Sequence, residues 1–167
     1  MKYLSRRKFV VTAPACLSVA VGGGEILAQD ENESLISSTL RHWVDTLFPE
    51  DEHSPGAGSL GVHLQILAKA DTIPEYGRLI VSGVGWANGM AEARGVSRFA
   101  ALTDLQRIEV VAEADLQGPK TGPGYFFVHT LQDATALYYG HRESWGGLGF
   151  TTTPQPLGYP DYEKASE

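Results

Sequence analysis

The sequence predicts an all-α fold: a small helical domain of about five helices with a long irregular C-terminal arm. Three observations predict it. Apolar residues recur every three or four positions through five separate stretches, which is the period of an amphipathic helix. Helix punctuation brackets those stretches: Pro49 follows the first, Pro74 opens the third, and Thr103 with Gln106 has the spacing of a capping box at the fourth. No apolar–polar alternation of useful length for a strand is present, and no internal repeat.

The first element precedes the fold. Ser5-Arg6-Arg7-Lys8-Phe9-Val10-Val11 sets two arginines before a phenylalanine and an apolar stretch. That is the layout of a twin-arginine export signal, an address read by a receptor, and Arg6, Arg7 and Phe9 carry it. The apolar stretch runs to about Val21, interrupted by Thr12, Pro14 and Ser18. It is too short for a stable membrane-spanning helix, which takes about 20 apolar residues. Ala28 is the candidate cleavage position, although Ile26 at the −3 place is larger than the small residue a signal peptidase prefers. The chain therefore divides into a signal segment, 1–28, and a single helical domain, 29–167. The expected location is the periplasm, reached through the twin-arginine translocase, with membrane association through partners.

Cleavage after Ala28 removes four basic residues and one acidic one, so the net charge moves from −7 to about −10. An acidic chain is a poor nucleic-acid binder, because phosphate contacts need Lys and Arg. Cys16, the one cysteine, lies in the leader in a poor lipidation context. The remaining domain offers neither a disulfide nor thiol chemistry.

Residues 29–33 are polar and read as a flexible junction. From Ser34, the apolar positions Leu35, Ile36, Leu40, Trp43, Val44, Leu47 and Phe48 predict the first helix, which Pro49 stops. Glu50 to Gly58 is a charged loop with a Ser54-Pro55-Gly56 turn signal. The second helix is expected over 59–71, with Leu60, Leu64 and Leu67 inward and Ile66 at the edge of the stripe. The third opens near Pro74, carries Tyr76, Leu79, Ile80, Val84, Trp86 and Met90, and ends near Gly95. Its glycines at 77, 83, 85 and 89 are read as points of close helix contact. Thr103 begins the fourth helix, with Leu105, Ile108, Val111 and Ala112 as its expected buried stripe. Gly118-Pro119 and Gly122-Pro123-Gly124 mark a loop. The fifth helix is expected over 125–139, with Phe127, Leu131, Ala134 and Tyr138 at helical spacing. After Gly140 no period survives.

Motifs for a cofactor in this chain are absent. The sequence has no Cys-x-x-Cys-His, no Gly-x-Gly-x-x-Gly opening a helix after a strand, no P-loop and no Gly-x-Ser-x-Gly elbow. None of His42, His53, His63, His129 and His141 pair at the i, i+4 spacing of a helical zinc site. Glu50-Asp51-Glu52-His53 is the densest group of candidate ligands and suits a hard cation only if the backbone wraps around it. His63 and His129 lie near apolar helix faces and read as hydrogen-bonded core or interface histidines. Asp133 and Glu143 have acid–base chemistry but no partner assignable from sequence. The C-terminal segment sets large aromatics, chiefly Trp145, Phe150 and Tyr159, on a glycine- and proline-rich arm with no periodic element to bury them. They pack on the helical body or dock a partner, and the three are the candidate partner interface.

Four features together resemble the gluconate 2-dehydrogenase subunit 3 family, the small subunit of membrane-bound flavin dehydrogenases. They are the twin-arginine leader; Leu47-Phe48-Pro49-Glu50-Asp51-Glu52 followed by Ser54-Pro55-Gly56-Ala57; Tyr138-Tyr139-Gly140; and Leu148-Gly149-Phe150 with Pro154-Gln155-Pro156-Leu157-Gly158-Tyr159-Pro160. Phe150 stands where the family often has Tyr. The resemblance implies a non-catalytic accessory and export subunit with no cofactor of its own. It implies a large subunit that holds FAD and oxidises a sugar, polyol or sugar acid, and a multihaem cytochrome c subunit that passes electrons onward. Two other readings stay open on the residues alone: a small periplasmic enzyme or metal-binding protein using the Glu50–His53 loop, and a periplasmic scaffold or binding module.

Overall fold

The computed structural model describes residues 22–149. Its regular structure is all helical: α1 Gly22–Leu47, α2 Val62–Thr72, α3 Pro74–Glu92, α4 Asp104–Leu116 and α5 Gly122–Gly140, with 3-10 segments at Phe99–Ala101 and Arg142–Leu148. The all-α expectation holds. Arg6, Arg7 and Phe9 of the leader, and Phe150 and Tyr159 of the arm, lie outside the described residues.

Helix α1, like α5, contacts each of the other four helices. Its Leu40, Trp43 and Val44 are fully buried. Trp43 packs against Phe99 and Phe126, with ring centroids 5.7 and 4.8 Å away. Its indole N–H donates to Thr130 Oγ1 at 2.9 Å, so the one polar atom of the largest core side chain is satisfied. Val62 and Ile66 of α2, Ile80, Val84 and Ala87 of α3, Val110 and Ala114 of α4, and Phe126 and Ala134 of α5 close around it. Each large apolar side chain buried in this way contributes about 1.5–3 kcal/mol relative to exposure.

Local signals set several boundaries as expected. Pro74 opens α3 in its first turn. The capping box forms in both directions: Thr103 Oγ1 accepts from Gln106 N, and Gln106 Oε1 accepts from Thr103 N at 3.0 Å. Gly95, at φ 76°, takes the left-handed conformation that ends α3.

Other expectations are corrected. Helix α1, Gly22–Leu47, runs through 29–33, where a junction was expected. Ala28, Gln29, Glu31 and Glu33 are good helix formers, but without apolar residues they show no period to read. Helix α2 starts at Val62 because Gly61, at φ 72°, is left-handed and the preceding residues form tight turns. Its buried face is Val62, His63, Ile66 and Ala70; Leu64 is exposed, and Leu60 and Leu67 are half-buried. Helix α4 is also rotated from expectation. It buries Val110, Val111 and Ala114 and leaves Leu105, Ile108 and Ala112 outside. Gly122-Pro123-Gly124 is the first turn of α5, capped by the Thr121 hydroxyl, which accepts from Gly124 N at 3.2 Å. Phe127 and Leu131 are only partly buried, and the core face of α5 runs through Phe126, Thr130, Ala134 and Tyr138. Of the four glycines in α3, two make close contacts. Gly77 lies on the Ala70 carbonyl and Gly83 on the Phe126 ring, whereas Gly85 and Gly89 face open space.

Candidate functional site

Three segments meet at one corner of the molecule, and two of them, 47–57 and 138–140, carry part of the family resemblance. The first is the loop after α1. Phe48 still donates its amide to Val44 O, and Pro49 then ends the helix. One turn back, the Asp45 carboxylate accepts from Gly58 N at 2.6 Å and pins the far end of the loop to α1. A Cβ at Gly58 would collide with that carboxylate, whose Cγ would be only 2.7 Å away. Ala57 N donates to Phe48 O at 3.0 Å and closes the loop.

Inside the loop, Asp51 Oδ1 accepts from His53 N at 2.7 Å, Ser54 N at 2.8 Å and Ser54 Oγ at 3.0 Å. These bonds, the His53 amide first, hold the Asp51 carboxyl below its usual range. The acidic run is thus an Asx-type turn. Glu52 and His53 pair with each other on the surface, 3.0 Å apart. The candidate ligand set Glu50-Asp51-Glu52-His53 is not gathered around a common point. Among the described residues, no three His, Cys, Asp or Glu side chains are placed to hold a metal ion.

The second segment is the end of α5. Tyr138 is buried, its ring stacks on Phe48 at 4.9 Å, and its hydroxyl donates to Pro55 O at 3.0 Å. Tyr139 meets Phe48 edge-on at 5.9 Å. The third is the 3-10 segment Arg142–Leu148. Ser144 Oγ lies 2.8 Å from Tyr138 O and 2.7 Å from His141 O and fastens the segment to the end of α5. Trp145 Nε1 donates to Tyr139 O at 2.9 Å. Gly146 rests on the His53 carbonyl, where a Cβ would have even the carbonyl carbon at 3.2 Å. Between the three segments is a cleft of about 220 Å³, lined by Leu47, Phe48, Pro49, Tyr138, Tyr139 and Leu148 among others. Tyr139 and Leu148 remain exposed at its mouth.

Trp145 is therefore half-buried, with its indole N–H committed to its own chain and part of its ring open. Asp133 accepts from Lys69 at 2.8 and 2.7 Å and from the Tyr76 hydroxyl at 2.5 Å. It clamps α5 to α2 and α3; burial first, and then Asp133, push the Tyr76 phenol upward. Glu143 is exposed at the start of the 3-10 segment. His129 is half-buried against the Tyr125 ring, 4.1 Å away. His63 is buried as expected, but among the described residues its Nδ1 has no hydrogen-bond partner, contrary to the expectation of a satisfied imidazole. Burial, and then the Arg41 charge, lower its pKa.

Asp45 and Arg107 are structural residues that sequence reasoning misses. Arg107 Nη1 donates to Leu102 O at 2.8 Å and Ala100 O at 3.3 Å, while Nη2 pairs with Asp104. Neither belongs to a motif. The signal for Asp45 was the pair of small residues, Gly56 and Gly58, that crowd it.

Among the described residues no helix is long and apolar enough to cross a membrane. No curated protein and no solved structure gives a match. A family model described as Gluconate 2-dehydrogenase subunit 3 matches residues 37–154, from the middle of α1 to beyond the corner. That match covers well over half of the sequence, and the chain belongs to the gluconate 2-dehydrogenase subunit 3 family.

Proposed function

We propose that this chain is a non-catalytic accessory subunit that assembles with the FAD-containing catalytic subunit of a dehydrogenase oxidising a sugar, polyol or sugar acid, and that its leader takes the complex through the twin-arginine pathway to the periplasm. A cytochrome c subunit carrying haem would accept the electrons. The family match over residues 37–154 carries this reading. The chemistry of the corner supports it. Asp45, Asp51, Ser144 and the Tyr138 hydroxyl all build the loop and the 3-10 segment, and Tyr139, Trp145 and Leu148 leave aromatic and apolar surface exposed beside the charged Glu50, Glu52, His53 and Glu143. Such a surface suits docking, since half-exposed aromatics anchor many interfaces.

The test is co-expression of the full chain with the catalytic subunit of its native host. The flavin absorbance is expected to co-purify with this chain from the periplasm, and the catalytic subunit is expected to stay in the cytoplasm when this chain is deleted. Export of an active flavoprotein without it would overturn the reading.

A further inference from the structure

The apolar row that the sequence assigns to the core of α4 lies outside. Leu105, Ile108 and Leu116 are 75, 53 and 86 % exposed, and Ala112 between them is exposed as well. Spacings of three and four set them on one face of the helix. Single exposed leucines are ordinary, whereas a contiguous apolar row marks an interaction surface. Ile108 and Ala112 of this row line two adjoining hollows, taken together as a trough. One, about 220 Å³, is lined by Thr46, Ile108, Val111, Ala112, Asp115 and Phe127. The other, about 340 Å³, shares Thr46 and Ile108 and reaches Pro49, Glu50 and Gly56 of the corner. Pro49 also lines the corner cleft, so the trough continues the surface already described.

The rim of this trough is acidic. Asp104 and Glu50 stand at the corner end, Asp115 at the other, and Glu109 is exposed beside Ile108. Arg107, the cation among the lining residues, is held by two carbonyls and Asp104. We infer that α4 and the trough receive an amphipathic helix of the catalytic subunit whose apolar face is flanked at both ends by lysine or arginine. In the helix-in-groove mode the apolar face of the occupant lies on Ile108, Val111, Ala112 and Phe127, and the rim carboxylates set its charge. Naming that partner rests on the accessory-subunit reading.

Charge disfavours the other occupants. A second copy would set Asp104, Glu109 and Asp115 against their own counterparts. The C-terminal arm has Asp161, Glu163 and Glu167 against Lys164, so it is acidic too. The leader has Lys2, Arg6, Arg7 and Lys8 on one side of its apolar stretch only and so matches one end of the rim.

The experiment uses the full chain co-expressed with the catalytic subunit. A benzophenone amino acid replaces Leu105, or, as a control, Val81 on the exposed side of α3. Position 105 is expected to crosslink to one catalytic-subunit segment with apolar residues at helical spacing and basic flanks, and position 81 is not. Ile108→Glu is expected to reduce co-purification of the flavoprotein at least tenfold with an unchanged melting temperature. Should that variant unfold, Leu105→Glu at the more exposed position reports the same loss. Crosslinks to a second copy, to the leader, to the C-terminal arm or to a segment without basic flanks overturn the assignment. Retention of the catalytic subunit by wild type and folded glutamate variants alike overturns it while the accessory-subunit reading stands. Absence of flavoprotein from the wild-type preparation overturns both.

Discussion

Gly83 and Gly85 sit two residues apart in α3, and the same substitution at each should have opposite effects. At Gly83 a Cβ would overlap the Phe126 ring; even Cδ1, the farthest of the three nearest ring atoms, would be 2.7 Å away. Cγ and Cδ2 would lie closer still, so relief requires the ring to retreat by roughly 1.5 Å to reach ordinary carbon–carbon contact. Phe126 has no such room, because it is fully buried with Trp43 4.8 Å behind it. Overpacking of this kind costs about 1–3 kcal/mol, at the upper end where neighbours are rigid. Ala in place of a mid-helix Gly returns about 1 kcal/mol of that. Gly83→Ala should therefore lose about 2 kcal/mol net, a fall in melting temperature of about 5–10 °C for a domain of this size. At Gly85 a Cβ meets nothing within 4 Å. Gly85→Ala should gain about 0.5–1 kcal/mol, a rise of a few degrees. Thermal unfolding by circular dichroism reads both. Equal melting temperatures for the two variants would refute the close-contact account of α3 on α5.

Thr130→Val keeps the shape but leaves the buried Trp43 N–H unpaired, and urea titration should show a loss of about 1–3 kcal/mol. His63 prefers its neutral form when folded, and burial likewise lowers His42, so the unfolded chain binds these protons more readily. Stability should be complete above the unfolded value of about 6.5 and fall as pH drops below it; His63→Leu should flatten that slope between pH 6.5 and 5, and an unchanged slope would assign it elsewhere. Trp145→Ala should weaken catalytic-subunit binding by about 2 kcal/mol with the free subunit still folded, as seen by pull-down alongside thermal melting; loss of binding through unfolding alone ends the claim. Arg6→Lys with Arg7→Lys keeps the charge but removes the guanidinium forks, so precursor should collect in the cytoplasm on fractionation, and normal export would contradict the leader's role.

What the sequence makes legible here is what depends on near neighbours. Pro49, Pro74 and the Thr103–Gln106 box act within one turn, and the helices start or stop where these residues dictate. The rotation of α4 was not legible, because its largest apolar residues, Leu105, Ile108 and Leu116, do not face the core; smaller Val110, Val111 and Ala114 are buried instead. Size ranks residues by hydrophobicity, but the space available under a neighbouring helix decides which face turns inward. Thr130 was missed for a related reason, since its bond to Trp43 spans 87 residues of sequence. The corner shows both sides. Its motif strings stand out in the sequence, but only the fold shows that Phe48 and Pro55 touch Tyr138 and that Gly146 rests on His53.

That corner has a temporal meaning. The Tyr138 hydroxyl reaches Pro55 across 83 residues, and Gly146 closes over His53 from still later in the chain. During synthesis the 48–58 loop leaves the ribosome long before the residues that fix it. Helices α1 to α4 can be in place while the outward surface of the corner does not yet exist. A partner that reads this surface would therefore meet a chain whose five helices have already been made. Chains truncated after Gly140 should keep the five helices yet lack the Trp145 and Gly146 contacts, so a partner that binds this corner should be lost while the helical content remains.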